Sequence, residues 1–254
     1  MARPRGAEQD AAARPDGEAA GGAPPAGRAG AERVPDGADP FRADLEKYYR
    51  IHFGTASPAL LSRAYLWARH TGLHCVAGYR LSRYARRVAA RRPLLSLPLV
   101  NLARTVELGL ALVHHVSISA DIGPGFYVGH AGMIFIGPTA IGRNFSVTHA
   151  VTIGVGQNDG ARGTPVIGDD VWVGTASVLS GAIRVGDGAT IANGTMLSRS
   201  VPAGTLVAGN PGRVVLLSYD NSRLMGTPAR EGAAPEGADA PAGPEEAVAR
   251  PAAS

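Results

Sequence analysis

The sequence predicts a mainly β protein, a triangular solenoid of stacked coils preceded by a small α-helical segment. Branched aliphatic residues recur between positions 116 and 197, and ten of the twelve steps between them are six residues long. Glycine often follows the aliphatic residue, as in Ile122-Gly123 and Val173-Gly174. Neither an amphipathic helix nor a period-two strand produces this period, whereas three hexads make one triangular coil. The expected inward positions are Val116, Ile122, Val128, Ile134, Ile141, Val147, Ile153, Ile167, Val173, Leu179, Val185, Ile191 and Leu197.

The rest of the chain divides into helical and low-complexity parts. Before residue 116 the apolar residues recur at helical spacing, which predicts helices near 59–70, 73–89 and 96–113. Both ends are rich in Ala, Gly, Pro and charge, so they bury too little apolar surface to offset the entropy of ordering. We therefore expect a disordered tail over 1–39, a helical segment over 40–115, the solenoid over 116–217 and a second disordered tail over 218–254.

The net charge of +4 comes largely from arginine. A run of arginines between positions 80 and 92 lies on a predicted helix without interleaved aromatics or a nucleic-acid-binding motif. We interpret this run as a solvated face, with an acidic membrane or polymer surface as the alternative, and we expect no nucleic-acid partner.

Two further features bear on membranes and compartment. The apolar stretch from Leu94 to Val113 approaches membrane-spanning length, but Pro98, Arg104 and Glu107 interrupt it, so a packed helix is expected and membrane association is not. The amino terminus has no apolar core of a secretory signal, and the lone Cys75 cannot form an intramolecular disulfide. A cytoplasmic location is therefore expected.

The two irregular steps of the repeat mark a candidate functional region. Ile134 to Ile141 takes seven residues, and Ile153 to Ile167 takes fourteen with many glycines. Function concentrates in segments that leave a rigid scaffold, although an inert surface loop is the alternative.

Histidines occupy equivalent positions in neighbouring coils. His130 and His149 each follow an inward valine by two residues, and they are separated by one coil plus the inserted residue. They should therefore stack at one corner, about one strand spacing of ~4.8 Å apart. Imidazole, with an ordinary pKa of ~6.5, is suited to removing a hydroxyl proton. His114 and His115 lie where the last helix enters the first coil, where either a capping or a site role is open.

Three segments carry a family resemblance, which runs from about residue 72 to residue 215. They are Gly72-Leu-His-Cys-Val-Ala-Gly-Tyr-Arg80, Ile122-Gly-Pro-Gly-Phe-Tyr-Val-Gly-His-Ala131 and Val207-Ala-Gly-Asn-Pro-Gly-Arg-Val-Val215. In this order, and with the fourteen-residue step between them, they resemble the hexapeptide-repeat acetyltransferases of the serine acetyltransferase group. The resemblance implies a left-handed parallel β-helix, an exception to the usual right-handed crossover.

The resemblance also implies a mechanism and a coenzyme. His130 would act as the general base that lets an acceptor hydroxyl attack acetyl-CoA, with no covalent enzyme intermediate and no metal. His149 is a second candidate, and His115 matches an aspartate that pairs with the catalytic histidine in the family. Acetyl-CoA would lie in a groove between coils, where the matching residues are Thr175, Asn193, Ser198, Arg199 and Arg213. Both arginines suit the coenzyme's phosphates.

The sequence departs from the serine acetyltransferase pattern at the acceptor side. Gly129 stands where the family has an aspartate that receives the substrate amino group, and Thr164 stands where it has a loop histidine. The pattern is closer to serine-acetyltransferase-like enzymes that acetylate sugars of exported polysaccharides. A carbohydrate hydroxyl is therefore the expected acceptor, with serine, as in cysteine biosynthesis, or another small alcohol as alternatives.

Other classes with this solenoid remain open. A γ-type carbonic anhydrase would hold zinc through histidines, but the spacing here does not match its ligands. A non-catalytic solenoid used for assembly would not bind acetyl-CoA. Since similar enzymes share active sites between subunits, the resemblance implies a homotrimer or a dimer of trimers.

Overall fold

The structure is a computed structural model that describes residues 39–158 and 161–227. Residues 1–38 of the tail predicted over 1–39, and residues 228–254 of the tail predicted over 218–254, lie outside the described residues. Four helices precede the solenoid and a short one follows it: α1 (Pro40–Phe53), α2 (Leu60–Arg69), α3 (Thr71–Arg91), α4 (Leu97–His114) and α5 (Ser222–Met225). The three helices predicted from apolar spacing are α2, α3 and α4, whose observed bounds agree with the prediction to within two residues.

Helix α1 was not predicted as a helix, although it lies inside the predicted helical segment. Asp39 caps it, since its carboxylate accepts a hydrogen bond from the Phe41 N–H at 3.0 Å, and Pro40 occupies the first turn. The inward face of α1 includes Asp44 and Lys47. Charged residues at inward positions weaken the apolar periodicity, which explains why the pattern did not reveal this helix.

The solenoid is the predicted parallel β-helix. Its strands are β1 (Val116–Ile118), β2 (Asp121–Ile122), β3 (Tyr127–Val128), β4 (Ile134–Ile136), β5 (Ala140–Ile141), β6 (Ser146–Val147), β7 (Thr152–Gly154), β8 (Gly156–Asn158), β9 (Ala161–Gly163), β10 (Val166–Ile167), β11 (Trp172–Val173), β12 (Val178–Ser180), β13 (Arg184–Val185), β14 (Thr190–Ile191), β15 (Met196–Leu197), β16 (Leu206–Ala208) and β17 (Arg213–Leu216). Fifteen of them form three sheets, in the orders β1-β4-β7-β12-β15, β13-β10-β5-β2 and β17-β16-β14-β11-β6-β3, and β8 and β9 form a separate two-stranded sheet.

The predicted inward residues are buried, at no more than 7% exposure. They lie in register from coil to coil, as Val128 pairs with Val147 and Val147 pairs with Val173. One row differs from the expected list. Ile153 is in register with Ile136 rather than Ile134, so β4 buries both isoleucines and the seven-residue step is accommodated there.

Tyr79 and Arg80, which end the first segment of the family resemblance, attach α3 to the first coil. The Tyr79 hydroxyl donates to the Ala120 carbonyl at 3.1 Å and accepts from the Ile122 N–H at 2.9 Å. Arg80 donates to the carbonyls of Ile122 and Gly123 at 2.8 and 2.6 Å. The helical segment is thus fixed to the solenoid by hydrogen bonds to its backbone.

The carboxyl end of the folded unit lies beyond the expected boundary at 217. Asn221 is fully buried and donates to the Asp170 carbonyl at 2.9 Å, and Met225 in α5 is also buried. Residues 218–227 are therefore part of the packed structure rather than a disordered tail. The expectation failed because this short segment contributes only a few apolar anchors to a surface that the solenoid already provides.

Candidate active site

A column of polar side chains lies at one corner of the solenoid. His130, His149, Thr175 and Asn193 each follow an inward residue of the β3-β6-β11-β14 row by two positions. The imidazole centroids of His130 and His149 are 5.9 Å apart, with their planes at 87°. The two histidines lie at the same corner on neighbouring coils, as predicted, with their rings in an edge-to-face arrangement, and both residues are exposed to solvent.

Hydrogen bonds connect the column to the next coils. The His149 carbonyl accepts from the Ala176 N–H at 3.2 Å. Thr175 donates its hydroxyl to Thr148 Oγ1 at 3.1 Å, and its N–H donates to Asn193 Oδ1 at 2.9 Å. The row of polar groups at this corner therefore continues beyond the histidine pair over two further coils, to Thr175 and then Asn193.

The helical segment adds a second set of rings that the sequence analysis missed. The His70 ring centroid lies 4.6 Å from that of His52 and 5.1 Å from that of Tyr48, and Tyr127 lies 4.6 Å from Tyr48. The Tyr48 hydroxyl donates to the Val128 carbonyl and accepts from the Val128 N–H, both at 3.0 Å. These rings therefore pack beside β3, the strand that precedes His130 by two residues.

Gly72 allows this close approach of α3 to β3. A Cβ at Gly72 would collide with the Val128 carbonyl oxygen. Gly72 begins the first of the three segments that carry the family resemblance, so that segment indicates the contact. No comparable pattern marks His52 or His70, because neither lies in one of the three segments that carry the family resemblance.

The environment of His70 holds it in the neutral form. Burial, together with the nearby His52, His130 and His74, lowers the pKa of His70 to about 4. Burial also lowers the pKa of His52 and raises that of Tyr127 to about 12. His130 and His52 are exposed to solvent, whereas His70 is half-buried between them and the solenoid.

His115 is not brought into the histidine pair. It caps the end of α4 in the left-handed conformation, with φ at 52°, and its carbonyl accepts from the Ile134 N–H at 3.1 Å. Within the described residues His115 makes no hydrogen bond or ring contact with His130. Its catalytic role stays a prediction, and its observed role is to turn the chain from helix to strand.

The residues predicted to hold acetyl-CoA lie on the last coils. Thr175 and Asn193 extend the histidine column, Ser198 and Arg199 follow β15, and Arg213 begins the antiparallel β17 opposite Ala208. Arg199 and Arg213 are exposed, and neither forms an ion pair with another described residue. This donor set, polar near the histidines and cationic further along, fits a long ligand with phosphates at one end.

The fourteen-residue step contains the antiparallel β8–β9 hairpin, in which Gly156 pairs with Gly163. The base of the hairpin packs on the solenoid, since a Cβ at Gly163 would lie 2.8 Å from the Ala182 Cβ. Thr164 follows the hairpin and is half-buried, and Pro165 is buried. The β8–β9 hairpin therefore projects from the solenoid, and its base packs against the solenoid.

Gly129 is buried next to His130 and has space beside it. A Cβ there would meet Thr148 Cγ2 at 3.4 Å and Tyr127 Cε1 at 3.6 Å, which are ordinary contacts. The absence of a side chain at this position is thus not imposed by packing.

One pocket lies apart from the histidine column. A 330 Å³ pocket between α3, α4 and β1 is lined by Cys75, Tyr79, Arg86 and Arg104, among others. Across residues 39–158 and 161–227, no three His, Cys, Asp or Glu side chains are grouped so as to hold a metal ion.

The stacked parallel coils and the corner histidines define a hexapeptide-repeat protein. The family model for bacterial transferase hexapeptides (six repeats) matches residues 164–199. A serine acetyltransferase of Bacillus pumilus is 33% identical over 165 residues, covering 63% of this chain and 70% of that protein. The chain belongs to the serine acetyltransferase family.

Other relatives and similar solved structures are also serine acetyltransferases. Serine acetyltransferase 2 of Arabidopsis thaliana is 33% identical over 64% of this chain, but the chain spans only 49% of that protein's length. A Neisseria gonorrhoeae serine acetyltransferase solved in complex with serine is 27% identical, with a TM-score of 0.53, covering 69% of this chain and 67% of that one. A Brucella abortus serine acetyltransferase in complex with coenzyme A shares the fold at 23% identity, with a TM-score of 0.55, covering 70% and 67%.

Proposed function

We propose that this protein is an acetyl-CoA-dependent O-acetyltransferase in which His130 is the general base. The observation that carries the proposal is the exposed His130 at the head of a polar column that runs towards Thr175 and Asn193. Within the described residues the His130 ring makes no hydrogen bond, so its nitrogens are free to meet a substrate hydroxyl. Membership of the serine acetyltransferase family supports the same reaction.

The reaction needs only positioning and one proton shuttle. The acceptor hydroxyl attacks the thioester carbonyl while His130 takes its proton, and the tetrahedral intermediate collapses with loss of the coenzyme A thiolate. The imidazolium of His130 then protonates that thiolate, so the base is regenerated. Thr175 and Asn193 would orient the pantetheine arm, and Arg199 and Arg213 would meet its phosphates.

Serine is the acceptor that the relatives favour. The Bacillus pumilus and Arabidopsis thaliana proteins are both serine acetyltransferases, and one of the similar solved structures is a complex with serine. The carbohydrate acceptor expected from the sequence receives no support from these comparisons. Serine is therefore the first candidate for this chain.

A hydroxyl acceptor without an ammonium group is the second candidate, and Gly129 favours it. A serine substrate carries a charged amine, and Gly129 offers it no carboxylate at the position next to the base. Leaving such a charge without a partner in a partly desolvated pocket costs on the order of 1–3 kcal/mol. A neutral sugar hydroxyl does not carry this cost.

Parallel acetyl-CoA consumption assays with L-serine and a panel of neutral sugars separate the two candidates. We expect Gly129→Asp to raise kcat/KM for serine about tenfold or more while leaving or lowering that for sugars. Gly129→Ala is the matched control, since it fills the same space without charge. Efficient serine turnover by the unmodified protein, at about 10⁴ M⁻¹s⁻¹, would exclude the second candidate.

The same samples test the reaction class itself. Acetyl-CoA should bind the full-length protein in a calorimetric titration whichever acceptor is used. A protein that does not bind acetyl-CoA would be a solenoid used for assembly, and the proposed function would be wrong.

A further inference from the structure

Helix α4 presents an apolar face that no described element covers. The helix has 18 residues with a mean hydropathy of 1.2, and only 6% of it is buried. The turn before it carries Leu94 and Leu95, which are 81% and 76% exposed. The other exposed apolar side chains of α4 are Leu97, Leu102, Leu108, Leu112 and Val113.

These side chains lie on one side of the helix. At 100° per residue, the exposed positions of α4 from Leu97 to Val113 cover about half of the helix circumference. The only charged residue among those exposed positions is Arg104, at the edge of the face. Thr105 also lies there, but its hydroxyl donates to the Asn101 carbonyl at 3.0 Å and is thus satisfied. Apart from Arg104 at its edge the face is therefore uncharged, and its exposed polar members are Asn101 and Thr105.

The α3–α4 hairpin is strongly cationic beside this face. Residues 71–115 contain seven arginines, no lysine, one glutamate and no aspartate, and so carry a formal charge of +6 with histidines neutral. Arg83 and Arg86 are paired with Asp121 and Glu107. Near the tip of the hairpin Arg87, Arg91 and Arg92 are exposed and form no ion pair with other described residues. Free cationic charge thus adjoins exposed leucines.

We propose that the tip of the α3–α4 hairpin together with the exposed face of α4, residues 87–113, binds the surface of an anionic lipid bilayer. Leu94, Leu95 and the apolar face of α4 would enter the interfacial region, and Arg91 and Arg92 would contact the negative headgroups. The sequence favours a solvated face for the arginine run between positions 80 and 92, because it does not show that the neighbouring α4 remains uncovered.

Surface binding fits the fold better than a membrane span. Helix α4 packs against α3, and Arg86 is paired with Glu107 of α4 at 3.0 Å. Insertion of α4 across a bilayer would therefore carry the arginines of α3 into the hydrocarbon, at a large cost.

Charge also favours lipid over a second copy of the chain. A symmetric contact between two hairpin tips would bring equally charged arginine clusters together. Anionic headgroups neutralise that charge, whereas a second copy adds to it.

Co-sedimentation of the full-length protein with vesicles tests the proposal. One set of vesicles contains phosphatidylcholine alone, and the other an equimolar mixture with phosphatidylglycerol. We expect binding to the mixed vesicles that weakens with added salt and is at least about tenfold weaker on phosphatidylcholine alone. Arg91→Gln with Arg92→Gln should weaken binding by about thirtyfold, and Leu94→Ser with Leu95→Ser by about tenfold or more.

Leu60→Ser with Leu61→Ser is the matched control, because these leucines of α2 are equally exposed, at 79% and 84%, but lie outside the hairpin. This variant should bind like the unmodified protein. Absence of binding to the mixed vesicles, or equal loss in the control, would overturn the proposal. If instead the hairpin variants shift the sedimentation of the protein to a smaller assembly without any vesicle binding, the face contacts a second copy and the proposal is wrong. Acetyl-CoA titration of each variant checks its fold independently of the lipid result.

Discussion

Arg80 holds the carboxylate of Asp44 in a two-point ion pair inside the protein. Arg80 Nε lies 2.7 Å from Asp44 Oδ2, and Nη2 lies 3.0 Å from Oδ1. The two side chains are 8% and 0% exposed, and Asp44 Oδ1 also accepts from the Phe126 N–H at 2.7 Å. Burial raises the pKa of Asp44, although Arg80 opposes this shift. The pair joins α1, α3 and the first coil into one unit.

Removing one partner should therefore be costly. Asp44→Ala leaves the Arg80 guanidinium buried without its counter-ion, and we expect it to lower the free energy of unfolding by about 3–5 kcal/mol. The double variant Asp44→Leu with Arg80→Met should be less destabilised than the single one. Urea unfolding measures both.

The surface pair of Arg42 and Glu46, at 3.1 Å, is the control. Glu46→Ala should cost about 0.5 kcal/mol or less. A similar cost for Asp44→Ala would contradict the structural role of the buried pair.

His130→Ala should lower kcat by at least about a hundredfold, because general-base catalysis contributes ~10²–10⁴ in rate. The coenzyme residues lie on later coils, so the affinity for acetyl-CoA should not change. Steady-state kinetics with whichever acceptor is used, together with calorimetric titration of acetyl-CoA, provide the two readouts. Near-normal turnover in this variant would remove His130 from the mechanism.

Lys47 should make stability depend on pH. Burial lowers its pKa from 10.5 to about 7, although the carboxylates of Asp170 and Asp44 raise it, and its amine donates to the Asn144 carbonyl at 2.9 Å. Between the folded pKa of about 7 and 10.5 the unfolded chain binds more protons than the folded one. The free energy of unfolding should therefore rise with pH in this window, by at most about 1.4 kcal/mol per pH unit.

Urea unfolding between about pH 7 and about pH 8.5 tests this, since that range lies below the ionisation of the buried tyrosines. Lys47→Met should lose this part of the pH slope while the other titrating groups are retained. An identical slope in the variant would show that Lys47 is not the cause.

The solenoid should assemble as a trimer. The sheet that contains β4 and β15 exposes Phe135 and Met196, at 47% and 45%, on one flat side. Exposed apolar side chains in a row on a flat sheet are typical of subunit contacts. Analytical ultracentrifugation should show three chains or a multiple of three, and Phe135→Glu should shift the protein towards the monomer. Val166→Glu, on a different sheet, is the control, and a stable monomer of the unmodified protein would contradict the prediction.

The sequence by itself determined the solenoid and the histidine pair. A hexad repeat fixes which residue of each coil points inward, and the coil length fixes which residues stack, so His130 and His149 could be placed together from their separation alone. The helices α2, α3 and α4 followed from local apolar spacing.

Only the tertiary structure decided what surrounds that pair. His70 comes to lie near His130, with His52 packed against it, because α1 and α3 dock on β3. Such docking depends on contacts between residues far apart in the chain, such as Tyr48 with Val128. A local pattern carries no information on such contacts. The burial of Asp44 and the exposure of the α4 leucines could not be predicted from the sequence either. Both depend on which faces the folded chain covers.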